Sequence, residues 1–208
     1  ITNDVLKEAF QKNYIRYDKD AEEHYNIISA FIKSIRGSDP DAAVYWLARM
    51  LKGGEDPKFI ARRMIVLASE DIGNADPYGL TIATSAFTAI DYIGMPEAQL
   101  VLSHTAIYLA SAPKSNASYL AIRAAQEDVN ETGELAVPHH LRNAPTKLMK
   151  NLDYGKEYKY SHDFEGHFTE QQYLPEELKD KVYYKPTGIG EESKIKERLK
   201  SWWKHKKR

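Results

Sequence analysis

Three Asp-Pro pairs, each opening a run of helically spaced apolar residues and each followed by a glycine stop, constrain this chain more than any other feature. An aspartate before a helix accepts hydrogen bonds from the free N–H groups of the first turn. A proline just inside that turn loses nothing, because its position has no intrahelical partner. Glycine after the last turn takes the conformation that ends a helix. Asp39-Pro40 therefore predicts a helix through Trp46, Leu47 and Met50 to Gly53-Gly54. Asp56-Pro57 predicts a second through Phe59, Ile60, Met64, Ile65 and Leu67 to near Gly73. Asp76-Pro77 predicts a third through Leu80, Ala83, Phe87 and Ile90 to Gly94. Pro96 opens a fourth through Leu100, Val101, Tyr108 and Leu109 to about Ala112. A fifth follows Ser115, with Tyr119, Ile122 and Val129 among its apolar positions, and ends near Gly133. Connections this short favour antiparallel neighbours in a bundle or stacked array. The starts at Asp39, Asp56 and Asp76 are spaced like a helical repeat, but no side-chain signature repeats with them. Small residues crowd Ala83–Ala89 and Leu109–Ala112, which places these helices centrally.

Before this block, residues 3–13 read as a short helix with Val5, Leu6, Ala9 and Phe10 on one face. Tyr14 to Lys19 reads as a linker. A long helix from Asp20 to Ile35 carries Tyr25, Ile28, Phe31, Ile32 and Ile35 as an apolar stripe and stops at Gly37. After Val137-Pro138 the texture changes. Ala144 to Leu152 predicts a helix, with Pro145 near its start and Leu148 and Met149 inward. Tyr154 to Pro186 holds Tyr154, Tyr158, Tyr160, Tyr173, Tyr183 and Tyr184 and follows no helical period. Short strands, or an extended arm pinned by its aromatic rings, fit this stretch, with a helical turn at Pro175 to Lys179. The last segment, about 190–206, predicts a basic helix with Ile195, Leu199, Trp202 and Trp203 on its apolar side. The fold class is all-α, with an irregular tyrosine-rich arm at about 153–189.

The chain of 208 residues is 42% hydrophobic and 28% charged, a balance that supports a packed core. It has no cysteine, so disulfides, thiolate ligands and a cysteine nucleophile are excluded. No apolar run reaches the roughly 20 residues that span a bilayer. The expectation is a soluble cytoplasmic chain without membrane partners. It begins Ile1-Thr2-Asn3-Asp4, which suggests a fragment or a processed chain. The net charge of −1 hides an asymmetry. Residues 191–208 hold eight Lys or Arg against three Asp or Glu, so the preceding 190 residues carry −6.

Nucleotide chemistry finds no purchase here. Gly188-Ile189-Gly190 runs into Glu191-Glu192, whose carboxylates repel phosphate. Gly53-Gly54 lacks the lysine and hydroxyl of a phosphate loop. His162, Asp163 and His167, with Glu165 and Glu170 nearby, are the most suggestive metal ligands, yet their spacing fits no helical metal motif. His139 and His140 follow Pro138 and could act as bases. Ser103, Ser111, Ser115 and Ser118 sit in no nucleophile elbow. His104, on a largely apolar helix, reads as a satisfied core or interface histidine. Glu70 and Asp71 adjoin and point about 100° apart, so they form an ion-pair network with Arg62 and Arg63 rather than an acid–base pair.

Interaction surfaces fit the composition better. Fourteen tyrosines, three tryptophans and six phenylalanines suit half-buried interfaces. Tyr45 and Trp46, as outward-facing aromatics, with Arg49, Phe59, Arg62 and Arg63, are the candidate subunit contacts. Lys194, Lys196, Lys200, Lys204, Lys206, Lys207 and Arg208 can neutralise phosphates, and Trp202 or Trp203 can stack a base. The same helix reads equally as a packed tail with its tryptophans in an apolar seam. Arg142, Lys147, Lys150 and Lys156 form a second basic group.

Several stretches carry a family resemblance. They are Ser34–Ala43 with Ile35-Arg36-Gly37-Ser38-Asp39-Pro40, Tyr45–Leu51, Gly53–Pro57, Ala61-Arg62-Arg63 and Ala68-Ser69-Glu70-Asp71-Ile72-Gly73. Ala112-Pro113-Lys114-Ser115-Asn116, Val137-Pro138, Leu141–Met149 and Gln171–Pro175 complete the set. Together they resemble the C-terminal part of the bacterial replication-associated recombination protein A family, whose eukaryotic relative is the Werner helicase-interacting ATPase. The resemblance runs from about Tyr17 to Arg208. It implies AAA+ ATPases similar to clamp-loader subunits, acting at replication forks and in recombination. It implies a collar-like helical region that assembles subunits as a tetramer, DNA as a partner, and contact with single-strand-binding protein near the nucleoid. It implies that residues 1–16 end the ATPase lid and 17–208 form the assembly domain. ATP and Mg are expected only in an N-terminal module, with no catalytic residue, cofactor or metal in this chain. The alternatives are an autonomous nucleic-acid-binding helical module, or a small hydrolase using His139 or His162.

Overall fold

The computed structural model describes residues 23–146, 149, 151, 152 and 154–206. The helices expected at 3–13 and the start of the next one lie outside these residues. Among the described residues every regular element is helical. The chain divides into two compact units, one ending at Asn116 and one beginning at Ala117.

The first unit holds α1 (residues 23–36), α2 (Pro40–Lys52), α3 (Pro57–Leu67), α4 (Tyr78–Ile93) and α5 (Ala98–Ser111). Asp39 caps α2 by accepting from Ala42 N at 2.9 Å, and Asp56 caps α3 through Lys58 N and Phe59 N. Asp76 sits one residue earlier than a regular cap but still accepts from Tyr78 N at 3.1 Å. Gly54 (φ 83°) and Gly94 (φ 70°) take the left-handed conformation that closes α2 and α4. At the end of α1 that conformation falls not on Gly37 but on Ser38, at φ 61°.

The α3 helix does not run on to Gly73. It passes at Ala68 into a π-helical turn, Ala68–Ile72, and then a 3-10 turn, Gly73–Ala75. The core is formed by the inward stripes of all five helices. Phe31 and Ile35 of α1, Ile60 and Met64 of α3, and Leu102 and Leu109 of α5 are each fully buried. α5 packs against α2, α3 and α4, so it is the central helix of this unit.

Among its described residues the second unit holds α6 (Ala117–Thr132), four short 3-10 turns (His139–Leu141, Ser161–Asp163, Glu165–His167, Glu176–Leu178) and α7 (Glu192–Trp202). Tyr119, Ile122 and Val129 of α6 are exposed rather than core residues. Leu148 lies outside the described residues; of the helix expected at 144–152, Met149 and Asn151 are helical, whereas Ala144, Pro145, Thr146 and Leu152 are not. The tyrosine-rich stretch contains no strand among the described residues. The chain there runs as an arm held by side chains. Lys181 Nζ and Tyr183 OH both reach the Asp128 carboxylate of α6 at 2.8 Å. The fully buried Glu192 accepts from Tyr184 OH, Thr187 N and Thr187 Oγ1 at 2.9, 2.8 and 2.6 Å.

Candidate interaction surfaces

Three of the family-like stretches, far apart in sequence, meet in the first unit. Arg36 Nε donates to Asp71 Oδ1 at 2.7 Å, and its guanidinium lies 3.5 Å from Glu70. Lys114 Nζ donates to Ser38 Oγ, Ala110 O and Ala112 O at 3.1, 3.0 and 2.5 Å. Ser115 N donates to Asp71 O at 2.8 Å. Burial pushes the Lys114 ammonium below its ordinary value, and the Asp71 carboxylate opposes that shift. Asp71 Oδ2 is buried without a hydrogen-bond partner. The expected pairing of Glu70 and Asp71 with Arg62 and Arg63 does not form. Those arginines sit on the exposed side of α3, and Arg62 instead faces Asp56 at 3.5 Å. The π-helical turn re-aims Glu70 and Asp71 toward α1, and sequence spacing carried no sign of that insertion. The cluster is a clamp that holds the α1–α2 turn, the π turn and the loop after α5 in one place.

The candidate subunit contacts on α2 and α3 divide by burial. Tyr45 is 57% exposed, and Arg49, Arg62 and Arg63 are exposed. Trp46 and Phe59 are not outward-facing; both are half-buried against the core. Arg49 lies over the Trp46 ring at 5.3 Å and pairs with Glu23 at 2.9 Å. The Phe59 ring meets His24 at 5.6 Å. The helical period of α2 explains the division. Trp46 lies next to Leu47 and is drawn to the core edge, while Tyr45 falls on the opposite side.

The terminal helix carries its charges unequally. Lys200 and Lys204 are exposed, whereas Lys196 is half-buried. Lys194 Nζ sits 2.9–3.0 Å from both Glu191 carboxylate oxygens. Lys206 Nζ lies over the Trp203 ring at 5.1 Å. Lys207 and Arg208 lie outside the described residues. Phe168 of the arm stacks on Trp202 at 5.4 Å with an 8° tilt and meets Trp203 edge-on. Tyr173 and His205 also edge onto Trp203. Trp203 is thus held in an aromatic seam, and Trp202 keeps 38% of its surface open.

The remaining candidates are bound up in the fold. His162 and His167 lie ring to ring at 4.9 Å, but no group of three metal-ligating side chains gathers among the described residues. His140 Nε2 is 2.7 Å from Gln172 O, and His139 edges onto Tyr154. Arg142 donates to Val137 O and stacks over Tyr154. Lys147 and Lys150 lie outside the described residues. His104 is exposed, which removes the core reading. No helix among the described residues is long and apolar enough to cross a membrane.

Comparison with known proteins agrees with the helical architecture. The family model described as MgsA AAA+ ATPase C terminal matches residues 37–203, and one described as AAA C-terminal domain matches residues 1–36. Replication-associated recombination protein A of Coxiella burnetii is 48% identical over 205 residues, 98% of this chain and 47% of that protein. The protein of the same name from Escherichia coli K12 is 45% identical over 197 residues, 94% of this chain and 44% of that one. ATPase WRNIP1 of Dictyostelium discoideum is 41% identical over 185 residues, 88% of this chain and 21% of that one. The chain spans less than half the length of these relatives. It belongs to the MgsA AAA+ ATPase C-terminal family, and it corresponds to the C-terminal part of such ATPases.

Proposed function

We propose that this chain is the helical assembly and interaction region of an AAA+ ATPase that acts in replication-fork maintenance and recombination. The observation that carries this reading is the unbroken family match over residues 37–203, preceded by the AAA C-terminal match over 1–36. Relatives that share 45–48% identity with the chain are named for replication and recombination. On this reading residues 1–16 end the ATPase lid and 17–208 form the assembly domain, with the arm at about 153–189 and the basic terminal helix at about 190–206. ATP and Mg bind in the N-terminal part of such proteins, and hydrolysis belongs there. No segment of this chain has the glycine-lysine-hydroxyl loop that would cradle a triphosphate.

The assembly is a homotetramer. Tyr45, Arg49, Arg62 and Arg63 supply exposed contacts, with Trp46 beneath Arg49 and Phe59 packed at the core edge. DNA lies along the terminal helix, against Lys196, Lys200, Lys204, Lys206, Lys207 and Arg208, while Lys194, held by the Glu191 carboxylate, contributes least of the expected contacts. Trp202 offers an open ring for a base, while Trp203 anchors the helix. Single-strand-binding protein is a further partner, and the working place is the cytoplasmic nucleoid. Sedimentation equilibrium of the 208-residue chain tests the assembly. A fourfold mass supports it, and a monomer at every concentration refutes it. The second reading is a nucleic-acid-binding module without an assembly role, favoured by the +5 charge of residues 191–208. Salt-dependent DNA binding by a strictly monomeric chain would favour that reading.

A further inference from the structure

Helix α1 belongs to two parts of the chain at once. The AAA C-terminal match ends at residue 36 and the MgsA match begins at 37, so by family α1 (residues 23–36) lies before the border. By packing it lies beyond it. Phe31 and Ile35 of α1 are fully buried in the same core as Leu47, Met64 and Leu102. A border between domains ordinarily falls in an exposed linker crossed by few contacts. Here it falls at a helix end, and residues 37–39 alone turn the chain from α1 into α2.

That turn is closed and strained. Asp39 N donates to Ser34 O at 2.9 Å and Ser38 N to Ile35 O at 3.1 Å, the paired bonds that finish a helix. A Cβ on Gly37 would meet Lys33 O at 3.1 Å, so the turn has no slack. The left-handed position of such a turn favours glycine, yet serine fills it at φ 61°. Ser38 is exposed, so core packing does not select its side chain. Its hydroxyl instead accepts from Lys114 Nζ at 3.1 Å, across 76 residues of sequence. The π-helical turn Ala68–Ile72 closes on the same place. It brings Asp71 Oδ1 to Arg36 Nε at 2.7 Å and leaves Asp71 Oδ2 buried without a hydrogen-bond partner among the described residues. Glycine at 38 and a regular end to α3 would satisfy a plain scaffold. A left-handed serine, a π turn and an unpaired buried oxygen in one clamp mark a place whose geometry is held for function.

We propose that this clamp is a rigid coupling joint between the ATPase module and the assembly helices. The inference rests on the assembly reading above and concerns how the two halves of such a protein communicate. With residues 36–38 locked, α1 cannot pivot against α2, α3 and α5. A displacement of the ATPase module then moves the first unit as one body, where a flexible linker would absorb it. The lock has two sides. Arg36 and Asp71 tie the turn to the end of α3, and Ser38 and Lys114 tie it to the loop after α5. The Arg36 side chain is 45% exposed, which weakens its ion pair. Lys114 is half-buried, and its three donors reach Ser38 Oγ, Ala110 O and Ala112 O. The Lys114 side therefore carries more of the lock. Coupling of this kind is reciprocal: the factor by which nucleotide changes subunit association is the factor by which association changes nucleotide affinity.

The test uses the full-length ATPase of which this chain is the C-terminal part. Sedimentation equilibrium measures subunit association with ADP and with a non-hydrolysable ATP analogue, and a fluorescent analogue measures nucleotide affinity. In wild type the two association constants should differ by about fivefold or more. Ser38→Gly keeps the left-handed turn but loses the hydroxyl, and it should bring that ratio to within about twofold of one. Ser38→Asn tolerates the same conformation and keeps an oxygen acceptor, so it should hold the wild-type ratio. Both variants should keep the wild-type melting curve, which separates lost coupling from lost fold. A wild-type ratio of one overturns the joint while leaving the assembly reading intact, and so does a Ser38→Gly ratio equal to that of wild type. Ser38→Asn as uncoupled as Ser38→Gly overturns the role given to the Lys114 contact. A full-length protein that binds no nucleotide overturns the ATPase reading, and the joint with it.

Discussion

The terminal helix makes a quantitative prediction about nucleic acid. The perturbation is Lys200→Ala with Lys204→Ala, two exposed lysines. The control is Lys194→Ala, whose ammonium is already held 2.9–3.0 Å from both Glu191 oxygens. Each lysine that neutralises a phosphate contributes about 0.7 to the log–log salt slope on single strands and about 0.9 on duplex. Removing two should therefore flatten the slope by about 1.4 to 1.8. Between 50 and 200 mM salt, wild type should then lose about tenfold more affinity than the double variant. Lys194→Ala should change the slope by less than half of one such contact, because its charge is already answered within the helix. Fluorescence anisotropy with a labelled 30-nucleotide strand and its duplex, titrated from 50 to 300 mM KCl, measures all three. A double variant whose slope matches wild type would refute the phosphate role of this helix. A Lys194→Ala slope change as large as half that of the double variant would refute the reasoning from the ion pair.

Other predictions concern the scaffold. Tyr108 OH donates to Asp76 Oδ2 at 2.6 Å, and that hydrogen bond, with burial, pushes the phenol up to about 12. A raised folded value stabilises fully below the unfolded value near 10 and fades as pH rises from 10 toward 12. Because the ring is partly exposed, Tyr108→Phe should cost only about 1 kcal/mol at pH 8, and urea unfolding should show the gap closing by pH 11.5. Asp128 is held below its ordinary carboxylate value by hydrogen bonds from Lys181 and Tyr183. Its stabilisation is present above the unfolded value and is lost as pH falls through the folded one. Asp128→Asn should lower the melting temperature at pH 7, with the difference vanishing at the acid end; a gap that persists there would count against the pair. Phe31→Ala removes a fully buried ring of α1 and should cost about 3–5 kcal/mol by chemical denaturation. A cost under 1 kcal/mol would mean that α1 is not part of the first unit's core.

The helical block was legible because its signals are local. Asp39 and Asp56 reach N–H groups two or three residues ahead, and Gly54 and Gly94 close helices through their own backbone. The stripe on α1 is likewise a matter of period alone, and Ile28, Phe31, Ile32 and Ile35 are all buried. The arm was legible only as an absence of period. Its anchors are pairs separated by 53 and 55 residues, Lys181 and Tyr183 with Asp128.

By itself, then, the sequence determined that the chain is helical, where most helices of residues 39–112 begin and end, and which family stretches it carries. Only the tertiary structure decided that Asp71 turns to Arg36 instead of Arg62, that Trp203 is seamed while Trp202 is open, and that Lys114 reaches back to Ser38. The reason is reach. Caps, stops and periods act within about one turn of the chain, whereas a π-helical insertion, a cross-chain ion pair or a seam of rings depends on which distant segment arrives beside it.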